Sequence, residues 1–183
     1  MAVLSEHISL PALLAGFFCL VGMASHSHAE QYMSEQEFLA KHFSSTPATK
    51  ALWITGDLKT LTSNVLQHPP QKLRQRYWQD QQRSLWVMEE IGKEKPITVG
   101  IVVNDGALEE VKVLAYRESR GWEVKYPFFT EQFDAAQLST EKNPTQLDKN
   151  IDNITGATLS VRAVTKLARL ALLYHQHITK DTQ

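Results

Sequence analysis

Between Lys72 and Arg117 the chain reads as strands joined by tight turns, and this leaves few folds open. Arg76-Tyr77-Trp78 and Arg83 to Ile91 flank a polar turn at Asp80-Gln81-Gln82. Pro96 to Val103 and Ala107 to Arg117 flank Asn104-Asp105-Gly106, a strong signal for a short hairpin turn. Two hairpins in succession predict a four-stranded antiparallel sheet. Such a sheet needs helices to cover its apolar surface, so the fold class is α+β: an antiparallel sheet core with flanking helices in a single domain.

Helical patterns lie on both sides of the strands. Ser34-Glu35-Gln36-Glu37 has the form of a capping box before Phe38, Leu39 and Phe43, and predicts a short helix that docks by its apolar side. Leu58, Leu61 and Val65 recur at helical spacing from Asp57 to about Gln67, with Pro69-Pro70 as a stop. Residues 30–70 thus read as an N-terminal helical subregion. Downstream, Thr130 to Leu138 reads as a short helix and Ser139 to Asn150 as a polar loop containing Pro144. In the last run, Leu159 to His175, one face carries Val161, Val164, Leu167, Ala168, Ala171 and Leu172, while Arg162, Lys166 and Arg169 lie on the other.

A length of 183 residues suits one domain. Leu10 to Ala24 is apolar and Ser27-His28-Ala29 has the small-x-small form of a signal-peptidase site, so residues 1–29 read as a signal peptide cleaved before Glu30, and the protein as periplasmic. The run is shorter than the roughly 20 apolar residues that span a bilayer, so no stable membrane anchor is predicted. The leader contains Glu6 and no Lys or Arg, leaving acids and bases balanced at 19 each in the remainder. No bulk charge draws such a chain to nucleic acid. Cys19, the one cysteine, lies in the leader. Disulfides, a CxxC couple and cysteine-ligated clusters are therefore excluded from the mature chain, and any redox chemistry there needs an organic cofactor or a metal held by other ligands. His42, His68, His175 and His177 show no metal-ligand spacing, and no Ser/His/Asp set, phosphate-binding glycine loop or GxGxxG is evident, so no catalytic residue or metal ligand is assigned.

Asp152-Asn153-Ile154-Thr155-Gly156-Ala157-Thr158 stands directly before the last helix. The first N–H groups of a helix lack internal partners and sit at the positive end of its dipole, so an anion is favoured there. Gly156 and Ala157 add little bulk, and Thr158 offers an esterifiable hydroxyl beside that position. The same residues also suit a plain N-cap hydroxyl before a surface helix.

The motif resembles that of the FMN-binding domain family, Asp-x-x-(Ser/Thr)-Gly-Ala-Thr, at every fixed position of residues 152–158. The likeness runs from about Arg76, through Gly92 to Val103 and Tyr116 to Val124, and on to about Tyr174, which makes residues 71–183 the FMN-binding domain. The resemblance implies covalent FMN joined to Thr158 by a phosphoester bond, with Thr155 and Gly156 shaping the turn beside Ala157. Asp152 reads equally as the motif's acid or as a turn residue. It further implies a separate flavin transferase that makes the bond, and relatives among the flavin subunits of Na⁺-pumping quinone reductase and Rnf-type complexes.

In that family the segment matching Glu118-Ser119-Arg120-Gly121-Trp122 lies near the flavin. Gly121 would allow close backbone approach, Trp122 would pack on the ring, and Arg120 would favour an anionic reduced flavin. Core packing for Trp122 and a surface ion pair for Glu118 and Arg120 are the competing readings. The function implied is an exported electron carrier between membrane or periplasmic redox proteins rather than a stand-alone enzyme. The alternatives are a flavin-dependent reductase of a small acceptor and a non-redox module holding a phosphorylated ligand.

Overall fold

Both hairpins form in the computed structural model, which describes residues 30–140 and 144–180. The predicted leader, 1–29, and part of the polar loop, 141–143, lie outside the described residues. The elements are β1 (Glu30–Gln31), α1 (Glu35–His42), β2 (Lys50–Trp53), α2 (Gly56–Leu66), β3 (Arg74–Asp80), β4 (Arg83–Ile91), β5 (Pro96–Asn104) and β6 (Ala107–Tyr116). They are followed by a 3-10 helix (Trp122–Lys125), α3 (Pro127–Thr130), a second 3-10 helix (Glu131–Phe133) and α4 (Thr158–Lys180). Asp105 and Gly106 both take positive φ, 50° and 77°, as a two-residue type I′ turn requires.

The sheet has six antiparallel strands, not four, in the order β1-β6-β5-β4-β3-β2. Residues 30–70 supply both edges: Glu30 and Gln31 pair with Tyr116 and Ala115, and Lys50 to Trp53 pair with Tyr77 to Arg74. Strands of two and four residues show no alternation long enough to read from sequence; pairing with a formed neighbour creates them.

Helices cover both faces. Val161, Val164, Leu167, Ala168, Ala171 and Leu172 of α4 pack with Ile97, Val99, Ile101 and Val103 of β5, and α2 adds Leu58 and Val65. On the opposite face α1 presses Phe38, Leu39 and Phe43 onto Trp78, Leu85, Val102 and Leu114. The capping box forms: Glu37 N–H donates to Ser34 Oγ at 3.1 Å, and Ser34 N–H to Glu37 Oε2 at 2.7 Å. Gly100 is required beneath α1, since a Cβ there would lie 2.5 Å from the Phe38 ring.

The helix expected over Thr130 to Leu138 lies earlier and is shorter. Pro127 starts α3, helical geometry ends at Phe133, and Ala135 adopts φ 58°. Ala135 N–H donates to Leu108 O and Leu108 N–H donates to Ala136 O, both at 2.9 Å. A tertiary tie to β6 thus overrides local helix preference.

His175 is buried beneath the β5–β6 turn. Gly106 N–H donates to its Nε2 at 3.3 Å, so the ring proton resides on Nδ1 and is donated to Ser84 Oγ at 2.7 Å; Trp86 Nε1 also donates to that oxygen, at 2.9 Å. Burial lowers the His175 pKa, with Asp105 acting in the opposite sense. As pH falls below about 6.5 the unfolded chain gains a proton that the folded ring resists, so this group's contribution declines until the lowered folded value is passed, by at most about 1.4 kcal/mol per pH unit. His68 acts oppositely: a bond to Pro69 O, then Glu90, raises its pKa against desolvation and Lys166, so its contribution is present below about 6.5 and lost above its folded value. Denaturant unfolding between pH 7 and 5 is expected to show a smaller loss on acidification in His175→Gln than in the parent; parallel profiles would contradict the assigned neutral ring.

Candidate functional site

Residues 152–157 are held at defined points. Asp152 N–H donates to Gln132 Oε1 at 2.7 Å, and Ala157 N–H closes a turn on Ile154 O at 2.9 Å. Gly156 takes φ 84° with nothing within 4 Å of where a Cβ would stand. Val161 N–H donates to Ala157 O at 2.9 Å, making Ala157 the residue from which α4 starts. The N–H groups of Thr158, Leu159 and Ser160 therefore have no carbonyl of a preceding turn to meet. Thr158 is exposed, and Asn153 Nδ2 donates to its Oγ1 at 3.0 Å, fixing the hydroxyl beside those N–H groups.

The segment after β6 is fastened to this helix start. The Tyr116 hydroxyl donates to Arg120 O, so Ser160 Oγ, 2.7 Å away, donates to the phenol oxygen. Burial raises the Tyr116 pKa against the Ser160 bond, with Glu118 and Glu123 adding to the rise, so the phenol keeps its donor proton at neutral pH. Gly121 has φ 84°, and a Cβ there would be 2.7 Å from Ser160 Oγ, 2.9 Å from Tyr116 Oη and 3.3 Å from Ala157 Cα. The close approach that Gly121 permits is thus to the motif itself.

Glu118 turns the other way. Its Oε1 accepts N–H groups from Lys93, from Glu94 at 2.6 Å and from Lys95 at 2.9 Å, fastening the β4–β5 turn. Burial works to raise its pKa, but those three donors and Lys93 outweigh it and the value is lowered. Among the described residues no ion pair joins it to Arg120, whose side chain is exposed together with Ser119.

The aromatic residues that follow divide between two environments. Phe129 and Phe133 are in the core, whereas Trp122, Tyr126 and Phe128 are 42%, 41% and 59% exposed. Trp122 meets Tyr126 edge-on at 5.7 Å between centroids, Tyr126 lies 6.3 Å from Phe128, and Lys125 Nζ sits 5.4 Å from the Trp122 ring. The structure thus seats Gly121, with the exposed Trp122 directly after it, on Ala157 and Ser160 at the start of α4, and directs Glu118 elsewhere. Tyr116, Ser160 and Gln132 join the site through the fold alone, whereas Asn153 lies inside the motif. Among the described residues no group of three or more His, Cys, Asp or Glu is placed to hold a metal.

An exposed hydroxyl at a helix start, with first-turn N–H groups and exposed aromatic side chains in the neighbouring segment, is chemistry that suits a phosphorylated aromatic ligand. Residues 92–173, from the β4–β5 turn through most of α4, match the FMN-binding domain model, and the match supports flavin binding by this part of the chain. No curated protein and no solved structure matches the chain.

Proposed function

We propose that this protein is an exported electron carrier with FMN joined to Thr158 by a phosphoester bond, its ring lying toward Trp122 and Arg120. The observation that carries the reading is the exposed Thr158 hydroxyl at the first turn of the 23-residue α4, inside the segment that matches the FMN-binding domain. The residues present fit the group. Three N–H groups of the first turn favour a phosphate, Gly156 leaves its approach open, and the half-exposed Trp122 offers a flat apolar surface. FMN, when bound, supplies reversible two-electron chemistry.

No general base adjoins Thr158 in sequence, which agrees with attachment by a separate transferase. Covalent attachment retains a cofactor outside the cytoplasm, where replacement is difficult, and no helix among the described residues is long and apolar enough to cross a membrane. Intact-mass measurement of protein made together with its transferase is expected to give a chain starting near Glu30 and heavier than its sequence by FMN less one water. An unmodified mass would refute the covalent reading.

Trp122→Ala and Arg120→Ala are expected to keep the flavin but shift its absorption and midpoint potential, because the tether is at the phosphate while these side chains face the ring. At about 1.4 kcal/mol per 30 mV for a two-electron couple, loss of even a weak cation–ring interaction is measurable by spectroelectrochemistry. Potentials and spectra identical to the parent would place the ring elsewhere.

A further inference from the structure

The sheet is open along one line. The β3–β4 ladder runs only from Asp80↔Arg83 to Tyr77↔Trp86, although β3 reaches back to Arg74 and β4 on to Ile91. Beyond that point β2 still pairs with β3, and β5 with the whole of β4, so the sheet is intact on both sides of a seam. The two-residue turn makes Asp80 and Arg83 a bonded pair, and strand alternation then aims the N–H and C=O groups of Val87, Glu89 and Ile91 into the seam. Gln75 Nε2 donates to Val87 O at 3.1 Å, where a main-chain donor of β3 would stand in a closed ladder.

A cavity of about 450 Å³ occupies this seam and is lined from both sides of the sheet. Glu35, Glu89 and Thr98 line it on the α1 side, and Leu66, Leu167 and Leu170 on the α4 side. On the α4 side the buried Glu90 is already met by His68 Nε2 at 3.1 Å and Lys166 Nζ at 3.2 Å. Lys72 and Arg74, also on the lining, have no carboxylate partner among the described residues. Two exposed apolar side chains, Leu73 and Ile91, adjoin them. β3, β4 and α2 lie outside residues 92–173, while Thr98, Leu167 and Leu170 lie within them, so the seam runs along the border of the matched segment.

We propose that the seam is a strand-acceptor site, into which an extended segment of a partner protein inserts between β3 and β4. Its row of backbone groups repeats roughly every 7 Å, a spacing matched by another extended backbone. The lining sets the side-chain pattern: residues directed to α4 are apolar, alternate ones directed to α1 are polar, and a carboxylate at one end meets Lys72 and Arg74. Main-chain bonds supply affinity and the alternating surfaces supply selectivity.

The test uses the full mature chain and the peptide acetyl-Glu-Val-Thr-Val-Thr-Val-Thr-amide, with a permuted peptide of the same composition that lacks alternation. Amide NMR and hydrogen exchange are expected to show saturable shifts, and exchange slowed at least tenfold, at Val87, Glu89 and Ile91. Glu89→Pro, which removes an N–H aimed into the seam and not toward β5, is expected to abolish binding. Should that variant unfold, the Lys72→Glu, Arg74→Glu pair decides, with affinity expected to fall at least tenfold. The proposal is overturned if millimolar peptide leaves those amides unchanged, if the permuted peptide acts equally, or if the amides are already slow in the free chain. Protection that grows with protein concentration alone would assign the seam to a second copy and also overturn it. None of these readouts depends on the flavin.

Discussion

Thr158→Ala is expected to abolish the FMN mass increment entirely, while Thr158→Ser retains part of it. The proposed phosphoester requires a hydroxyl at the first residue of α4, and Thr155, the other hydroxyl of the motif, lies before the Gly156 turn and outside the helix start. Alanine removes the Asn153 bond at Oγ1 and little else, because the side chain is exposed. Stability should therefore change by no more than about 0.5 kcal/mol, as for ordinary surface substitutions. Peptide mapping of parent and variants gives the decision: flavin on a peptide without Thr158 would refute the assignment, and an unfolded alanine variant would show that the hydroxyl is structural.

Gly121→Ala is expected to destabilise the fold by about 2–4 kcal/mol, combining left-handed backbone strain with overpacking. Its Cβ would fall 2.7 Å from Ser160 Oγ and 2.9 Å from Tyr116 Oη, two groups already bonded to each other at 2.7 Å. The segment carrying Arg120 and Trp122 must then lift from α4 or break that bond. Chemical denaturation measures the loss, and the flavin spectrum of the loaded variant reports whether the displaced segment faces the ring. Gly156→Ala is the control: its φ is also 84° but no atom lies within 4 Å of the added Cβ, so only backbone strain of about 1–2 kcal/mol applies. Equal losses in the two variants would show that Gly121 is not tightly packed against the motif.

The comparison of these glycines shows how far the sequence could be read. Both are visible in the chain, and Gly156 stands in the motif, but that Gly121 seats a distant segment on Ala157 and Ser160 depends on how β6 and α4 meet. The same holds for Glu118, whose neighbours in sequence suggested an ion pair with Arg120, whereas the fold offers its carboxylate three N–H groups of another turn. Trp122, Tyr126 and Phe128 are aromatic like the buried Phe129 and Phe133; only the packing of α3 and the two 3-10 helices around it decides which face outward.

By itself the sequence determined what local chemistry controls. Turn residues placed the hairpins, the Ser34 capping box started α1, apolar spacing defined the buried face of α4, and the motif put a hydroxyl at a helix start. Each depends on residues within a few positions of one another, where backbone preferences and hydrogen-bonding groups act directly. The tertiary structure alone decided the rest: the edge strands β1 and β2, the shift of the short helix ahead of Ala135, the Tyr116–Ser160 bond beneath the motif, and the seam between β3 and β4. These need partners between 27 and 86 positions away, as in the pairs Tyr77↔Lys50, Leu108↔Ala135, Tyr116↔Ser160 and Glu30↔Tyr116. Their free energy exists only once burial has brought those partners together, so no local pattern records them.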